Sequence, residues 1–171
     1  MLARQSPKPI NLYTTQNFKT QPKEHTVRNH IWAALCLCLA AAPVYADAGD
    51  IKARQQYMKD WRGLNKKMSG ILKNSNAQTF PAQQFAALAA ELNSTANEPW
   101  EYYGPGTNGA NSEAKAAVWE KPQQFQAAIK RFNQAAAALN QAAAGGNYQA
   151  VKTSFDKMAQ SCKACHQAFK E

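Results

Sequence analysis

The sequence closes on SCKACHQAFKE, in which Cys162 and Cys165 lie three residues apart and His166 directly follows the second thiol. Thiols and an imidazole can serve as metal ligands, as a cross-link or as nucleophiles. Four chemistries therefore suit the cluster: a structural zinc, a disulfide, a redox dithiol, or covalent attachment of a haem. The rest of the chain discriminates among them.

Structural zinc needs four protein ligands. The remaining cysteines and histidines, Cys36, Cys38, His25 and His30, all lie near the N-terminus. That region reads as an export signal. The run IWAALCLCLAAA (31–42) is the only continuous apolar stretch, and it is too short to span a bilayer as a helix, which takes about 20 residues. It follows Arg28 and leads into PVYADAGD, where Val44 and Ala46 are the small residues that precede a signal-peptidase cut. The segment 27–46 is therefore expected to be a signal peptide, with a mature chain of 47–171 in the periplasm. Residues 1–26 are polar and lie ahead of an ordinary signal. They read as a disordered leader or as the product of a misplaced start, with translation beginning at Val27. Neither Cys36 nor Cys38 follows the small residue of a lipoprotein box, so no lipid anchor and no membrane attachment after cleavage are expected.

Cleavage would leave Cys162, Cys165 and His166 as the only cysteines and histidine. A zinc site would lack its fourth ligand. A redox dithiol normally starts a helix, where the dipole lowers a thiol pKa, whereas this pair falls near a helix end. A simple disulfide leaves His166 without a role. Cys-x-x-Cys-His is the haem c attachment pattern: each thiol bonds one vinyl group, and the imidazole is held under the iron. The full chain carries 20 Lys+Arg against 11 Asp+Glu. Five of the basic and one of the acidic residues precede Ala46, leaving 15 and 10, a modest +5. No basic run with interleaved aromatics appears, so a nucleic-acid partner is not expected. No acid–base pair, activated nucleophile or phosphate loop is present, and no conventional enzyme is expected.

The elements that must position the cluster are helical. Ile51, Met58, Trp61, Leu64, Met68 and Ile71 form one stripe, broken at 74–78. Pro81 suits the first turn of a second helix carrying Phe85, Leu88 and Leu92, which ends before Glu98-Pro99. EPWEYYGPGTNGANSEA then reads as a long aperiodic loop. A third helix carries Phe125, Ile129, Phe132, Ala136, Leu139 and Ala143 and stops at Gly145-Gly146. Asn147 caps a fourth, which carries Val151, Phe155, Met158, Cys162, Cys165, His166 and Phe169. Short links between the first and second and between the third and fourth helices predict an all-α, antiparallel up-down-up-down four-helix bundle.

SCKACHQAFK, together with ARQQYM in the first helix and PWEYYGPGT in the loop, resembles the cytochrome c′ family, the class II cytochromes c, over residues 50–170. The resemblance implies one covalent haem c near the C-terminal helix. Cys162 and Cys165 match the thioether cysteines, and His166 matches the proximal iron ligand. Arg54 and Gln55 match the pair at the haem propionates. Ser112 falls where the family has a Ser, Thr or acid near a propionate, with Glu113 as the neighbouring candidate. Lys170 stands where many members carry arginine, and a lysine lacks that planar fork.

Met58 matches the residue covering the distal iron face. Two roles stay open for it. As an apolar cover it would leave the iron five-coordinate and accessible to small gases such as nitric oxide and carbon monoxide. As a bonded sixth ligand it would make a low-spin His/Met electron carrier. A redox partner protein and a homodimer through the first two helices are further expectations from the resemblance.

Overall fold

A computed structural model describes residues 48–171. The leader 1–26, the signal segment 27–46, the expected cleavage point, Cys36, Cys38, His25 and His30 lie outside the described residues.

Helix α1 runs Ala48–Asn74, with Asp50 in its first turn and Lys73 in its last, each matched to the helix dipole. It stops where Asn76 Oδ1 accepts from the backbone N–H groups of Gln78 and Thr79 at 2.9 and 3.1 Å, a side-chain mimic of a turn. Helix α2 spans Ala82–Ser94. Pro81 sits one residue before it, at the cap rather than in the first turn as the sequence suggested, and its carbonyl accepts from Phe85 N–H. After a short helix α3 (Ala117–Glu120), helix α4 spans Pro122–Ala144 with its proline at the first position, where no N–H is needed. Gly146 reverses the chain at φ +67°, a region glycine enters without a Cβ clash. Asn147 Oδ1 then accepts from Ala150 N–H at 2.9 Å and caps α5, Tyr148–Phe169.

The four long helices form the expected all-α four-helix bundle. Contacts run α1 to α2, α2 to α4 and α4 to α5, while α1 and α5 hardly touch. Where all four close together, Met68, Phe85, Leu139, Val151 and Met158 reach essentially zero exposure. No helix among the described residues is long and apolar enough to cross a membrane.

The segment read as an aperiodic loop is more ordered than expected. Glu98–Tyr103 is a 3-10 helix, with Pro99 near its start. Three residues per turn put Trp100 and Tyr103 on one side, where both pack against a second apolar cluster of Val118, Phe125, Ala128, Ile129 and Phe169. Further on, Ala114 and Lys170 form an isolated antiparallel bridge. Lys115 N–H donates to Phe169 O, and Glu171 N–H to Glu113 O, both at 2.9 Å. This bridge ties α5 to the connection in front of α3.

Candidate functional site

The gap between α1 and α5 is a cavity of about 470 Å³, within the range of small-molecule and cofactor sites. From α1 come Arg54, Gln55, Met58, Lys59, Trp61, Arg62 and Asn65; from α5, Met158, Ser161, Cys162, Cys165, His166 and Phe169, with Lys170 just past its end. Leu92, Trp100, Val118, Phe125 and Phe132 complete its apolar lining. The helix period explains the convergence. Arg54, Met58, Trp61 and Asn65 recur at three- and four-residue steps on the inner face of α1; on α5, Cys162 and His166, and Cys165 and Phe169, are each four apart.

The thiols and imidazole share one wall. Burial first, and then Cys165, push the Cys162 thiol up to about 11, and burial raises Cys165 as well. A redox dithiol needs the opposite shift, toward thiolate, so that chemistry is disfavoured. No disulfide joins the two cysteines. No group of three His, Cys, Asp or Glu side chains able to hold a metal occurs among the described residues, so no protein-only zinc site forms there. His166 is exposed at the mouth, and its proton affinity is lowered by burial, then by Lys170 and Arg62.

Arg54 is the most constrained polar side chain of the site. It is only 3% exposed, although arginine is almost never buried without partners. Its Nη1 donates to Tyr102 O and Thr107 Oγ1, both at 2.9 Å. Its Nη2 donates to Thr107 O at 2.7 Å and Ser112 Oγ at 2.6 Å. The guanidinium also lies 4.5 Å from the Tyr103 ring centroid and 5.8 Å from that of Trp119, over the negative ring faces. Every one of these partners is formally neutral, and among the described residues no carboxylate pairs with it. A buried cation of this kind is expensive unless a negative group completes it.

The sequence-derived candidates divide accordingly. Arg54, Gln55, Met58, Cys162, Cys165 and His166 all line the cavity. Ser112 does not: its hydroxyl faces Arg54 from behind, while its neighbour Glu113 is in the lining and pairs with Lys170 at 3.1 Å. Gln55 is exposed and donates to Asn111 O at 2.8 Å. Met58 is half-buried and packs on the main core.

Sequence reasoning missed Tyr103 and Thr107, both partners of Arg54, and Trp119, whose indole N–H donates to Tyr103 O and Gly104 O at 3.0 Å. For Tyr103 and Thr107 the available signal was the aromatic density of the supposed loop; Trp119 lies beyond it. It also missed Asn65, whose buried Oδ1 has no hydrogen-bond partner in the cavity wall.

These features fit a large, flat, mostly apolar cofactor bearing carboxylates and reactive vinyl groups. The cavity has apolar faces, two thiols and an imidazole on one wall, and a buried cation that Asp50 influences only at longer range, without a direct ion pair among the described residues.

Comparison with known proteins agrees. The family model described as Cytochrome C′ matches residues 50–170. A cytochrome c′ from Rubrivivax gelatinosus is 34% identical over 93 residues, covering 54% of this chain and 72% of that protein. One from Alcaligenes xylosoxydans xylosoxydans is 26% identical over 121 residues, 71% of this chain and 92% of its own. Among solved structures, a carbon monoxide-bound variant of the Alcaligenes xylosoxidans protein superposes with TM-score 0.66 at 26% identity, covering 71% of this chain and 94% of that one. A nitric oxide complex of another variant gives 0.68 at 25%, covering 75% and 98%. Motif, bundle, cavity and relatives agree: this chain belongs to the cytochrome c′ family and carries a covalently attached haem c with its iron.

Proposed function

We propose that this chain is a periplasmic, five-coordinate haem protein that binds small gases such as nitric oxide and carbon monoxide, with electron transfer as a second capacity. The haem supplies an iron centre that can change redox state and take up a diatomic ligand. Everything else is the work of the protein. Cys162 and Cys165 would hold the group through two thioether links, each thiol adding across one vinyl double bond. His166, on the same wall, would be the iron's protein ligand. Gln55, Glu113 and the uncommitted Nε–H of Arg54 border the region for the propionates, with Ser112 fixing the guanidinium. Export follows from residues 27–46, and we propose Asp47 as the first residue of the mature protein. No acid–base pair for turnover is proposed.

Met58 carries the choice between gas binding and simple electron transport. Its side chain packs against the main core while facing the cavity. A thioether held by apolar neighbours on the α1 wall serves as a cover, which excludes bulky or charged ligands and admits diatomics. The relatives solved with carbon monoxide and nitric oxide support the same reading. The deciding measurement is an absorption spectrum of the oxidised holoprotein. A cover gives a high-spin spectrum without a methionine-to-iron charge-transfer band, barely altered in Met58→Ala. A low-spin spectrum that becomes high-spin in Met58→Ala would establish the His/Met electron carrier instead.

A further inference from the structure

Positive charge is concentrated on the lips of the cavity. On α1, Gln55, Lys59, Arg62 and Lys66 recur at four-, three- and four-residue steps and form one exposed stripe beside the inner face. Lys59 and Arg62 are part of the cavity lining, and Lys66 continues the line. On the facing lip, Lys170 lines the cavity next to His166. Among the described residues, none of Lys59, Arg62 or Lys66 is in an ion pair. The one carboxylate in the lining, Glu113, is already engaged by Lys170. The two propionates of the haem would offset part of this charge, and buried Arg54 takes a share of that pairing. The exposed stripe stays positive.

We propose that Lys59, Arg62 and Lys66 on α1, with Lys170 at the end of α5, form the docking surface for the acidic face of an electron-transfer partner protein. The proposal rests on the electron-transfer capacity argued above. The two acidic side chains of α1 lie off this stripe: Asp50 is in the first turn, and Asp60, beside Lys59 in sequence, accepts from Gln56 Nε2 at 2.8 Å. In the exchange, one electron leaves the ferrous centre, which becomes ferric, and the partner's acceptor is reduced by one electron; no proton or covalent bond moves. Like charges on a wrong partner are repelled, so the same rim supplies selectivity as well as encounter rate.

The test is stopped-flow oxidation of the ferrous holoprotein by two probes of opposite charge, ferricyanide and tris(phenanthroline)cobalt(III), at low ionic strength. Electrostatic steering spans ~10- to 1,000-fold in rate. The Lys59→Gln/Arg62→Gln/Lys66→Gln variant should therefore slow the ferricyanide reaction about tenfold and leave the cobalt reaction unchanged or faster. A control with the same net charge change elsewhere, Lys121→Gln/Lys130→Gln/Lys157→Gln, should change it by less than about twofold. Added salt should erase the difference, because screening shortens to a few Å. Soluble polyglutamate, standing in for an acidic protein face, should compete with ferricyanide in wild type and not in the rim variant. Independently of any redox step, hexacyanochromate(III) added to the diamagnetic ferrous carbon monoxide complex should broaden the backbone NMR signals of residues 59–66 and 166–170 most strongly.

Equal slowing in the rim and control variants would overturn the proposal, since net charge alone would then suffice. Failure of polyglutamate to compete would also overturn it, by reducing the rim to a small-anion site. Failure of both oxidants would sink the electron-transfer reading instead, and the broadening map would still decide the patch.

Discussion

The two ends of this bundle are built from the same four helices and differ in one respect. At the closed end, the second half of α1 meets the start of α2, the end of α4 and the start of α5, and Met68, Phe85, Leu139 and Val151 fill the space completely. At the open end, the first half of α1 and the last half of α5 part around a cavity of about 470 Å³. The closed end is stabilised by apolar burial, at roughly 25 cal/mol per Å². The open end gives up that burial and replaces direct contact between α1 and α5 with polar ties: Arg54 to the 102–112 segment, and Glu113–Lys115 to the end of α5. Stability and function are thereby assigned to opposite ends of one fold.

Four experiments break or sharpen that division. The largest expected effect belongs to Cys162→Ala/Cys165→Ala, which should abolish covalent haem. A denaturing gel stained for haem peroxidase activity would lose its band, while circular dichroism keeps most of the helix signal. A haem band of undiminished strength would rule out attachment through these thiols.

Leu139→Ala attacks the other end. Removing a fully buried leucine costs about 2–5 kcal/mol, read as a lower urea midpoint, yet the haem stain should remain. Loss of the stain in this variant would show that the two ends are not independent.

Tyr103 offers a third probe, at the wall between cavity and core. Burial pushes its phenol up to about 12, against a smaller opposing pull from Arg54. The folded pKa lies above the unfolded value near 10, so the neutral phenol's contribution is fully present below pH 10 and is lost as pH rises toward 12. Stability should therefore fall by up to about 3 kcal/mol across that window, at 1.36 kcal/mol per unit. Tyr103→Phe should flatten the decline relative to wild type, which removes the common background from lysine titration.

The smallest effect is kinetic. Met58→Ala should speed carbon monoxide entry to the reduced protein by about tenfold, equivalent to ~1.4 kcal/mol of barrier, and change the urea midpoint little. A half-buried side chain at the open end has less packing to lose than one at the closed end.

The closed end was the more legible in the sequence. Phe85, Leu139, Val151 and Met158 announce themselves by period alone, and caps such as Asn147 mark where helices begin. The cysteines and histidine were legible as a motif, because attachment chemistry fixes their spacing. Arg54 was legible only by resemblance, since nothing in helical period distinguishes a buried arginine from a solvated one. Its burial depends on acceptors 48 to 58 residues away. The same distance hid the order of the 98–114 segment, whose 3-10 turn is stabilised by aromatic contacts with α1 and α4 rather than by any local signal. The placement of Ser112 and Glu113 was equally a tertiary matter: the first hydrogen-bonds Arg54 and the second lines the cavity.

Those long separations also bear on the order of folding. Helices α4 and α5 are joined by three residues and can zip as a hairpin through contacts close in sequence. The four Arg54 hydrogen bonds each close a loop of 48 to 58 residues, with a correspondingly larger entropic toll before any bond is gained. The α4–α5 hairpin, bearing the thiols and imidazole, is thus presented early, and the α1 wall is latched over it late. A folding chain with this schedule keeps its slot accessible from one side for as long as α1 is undocked, a time window in which a bulky planar group can slide in before the guanidinium shuts the wall behind it.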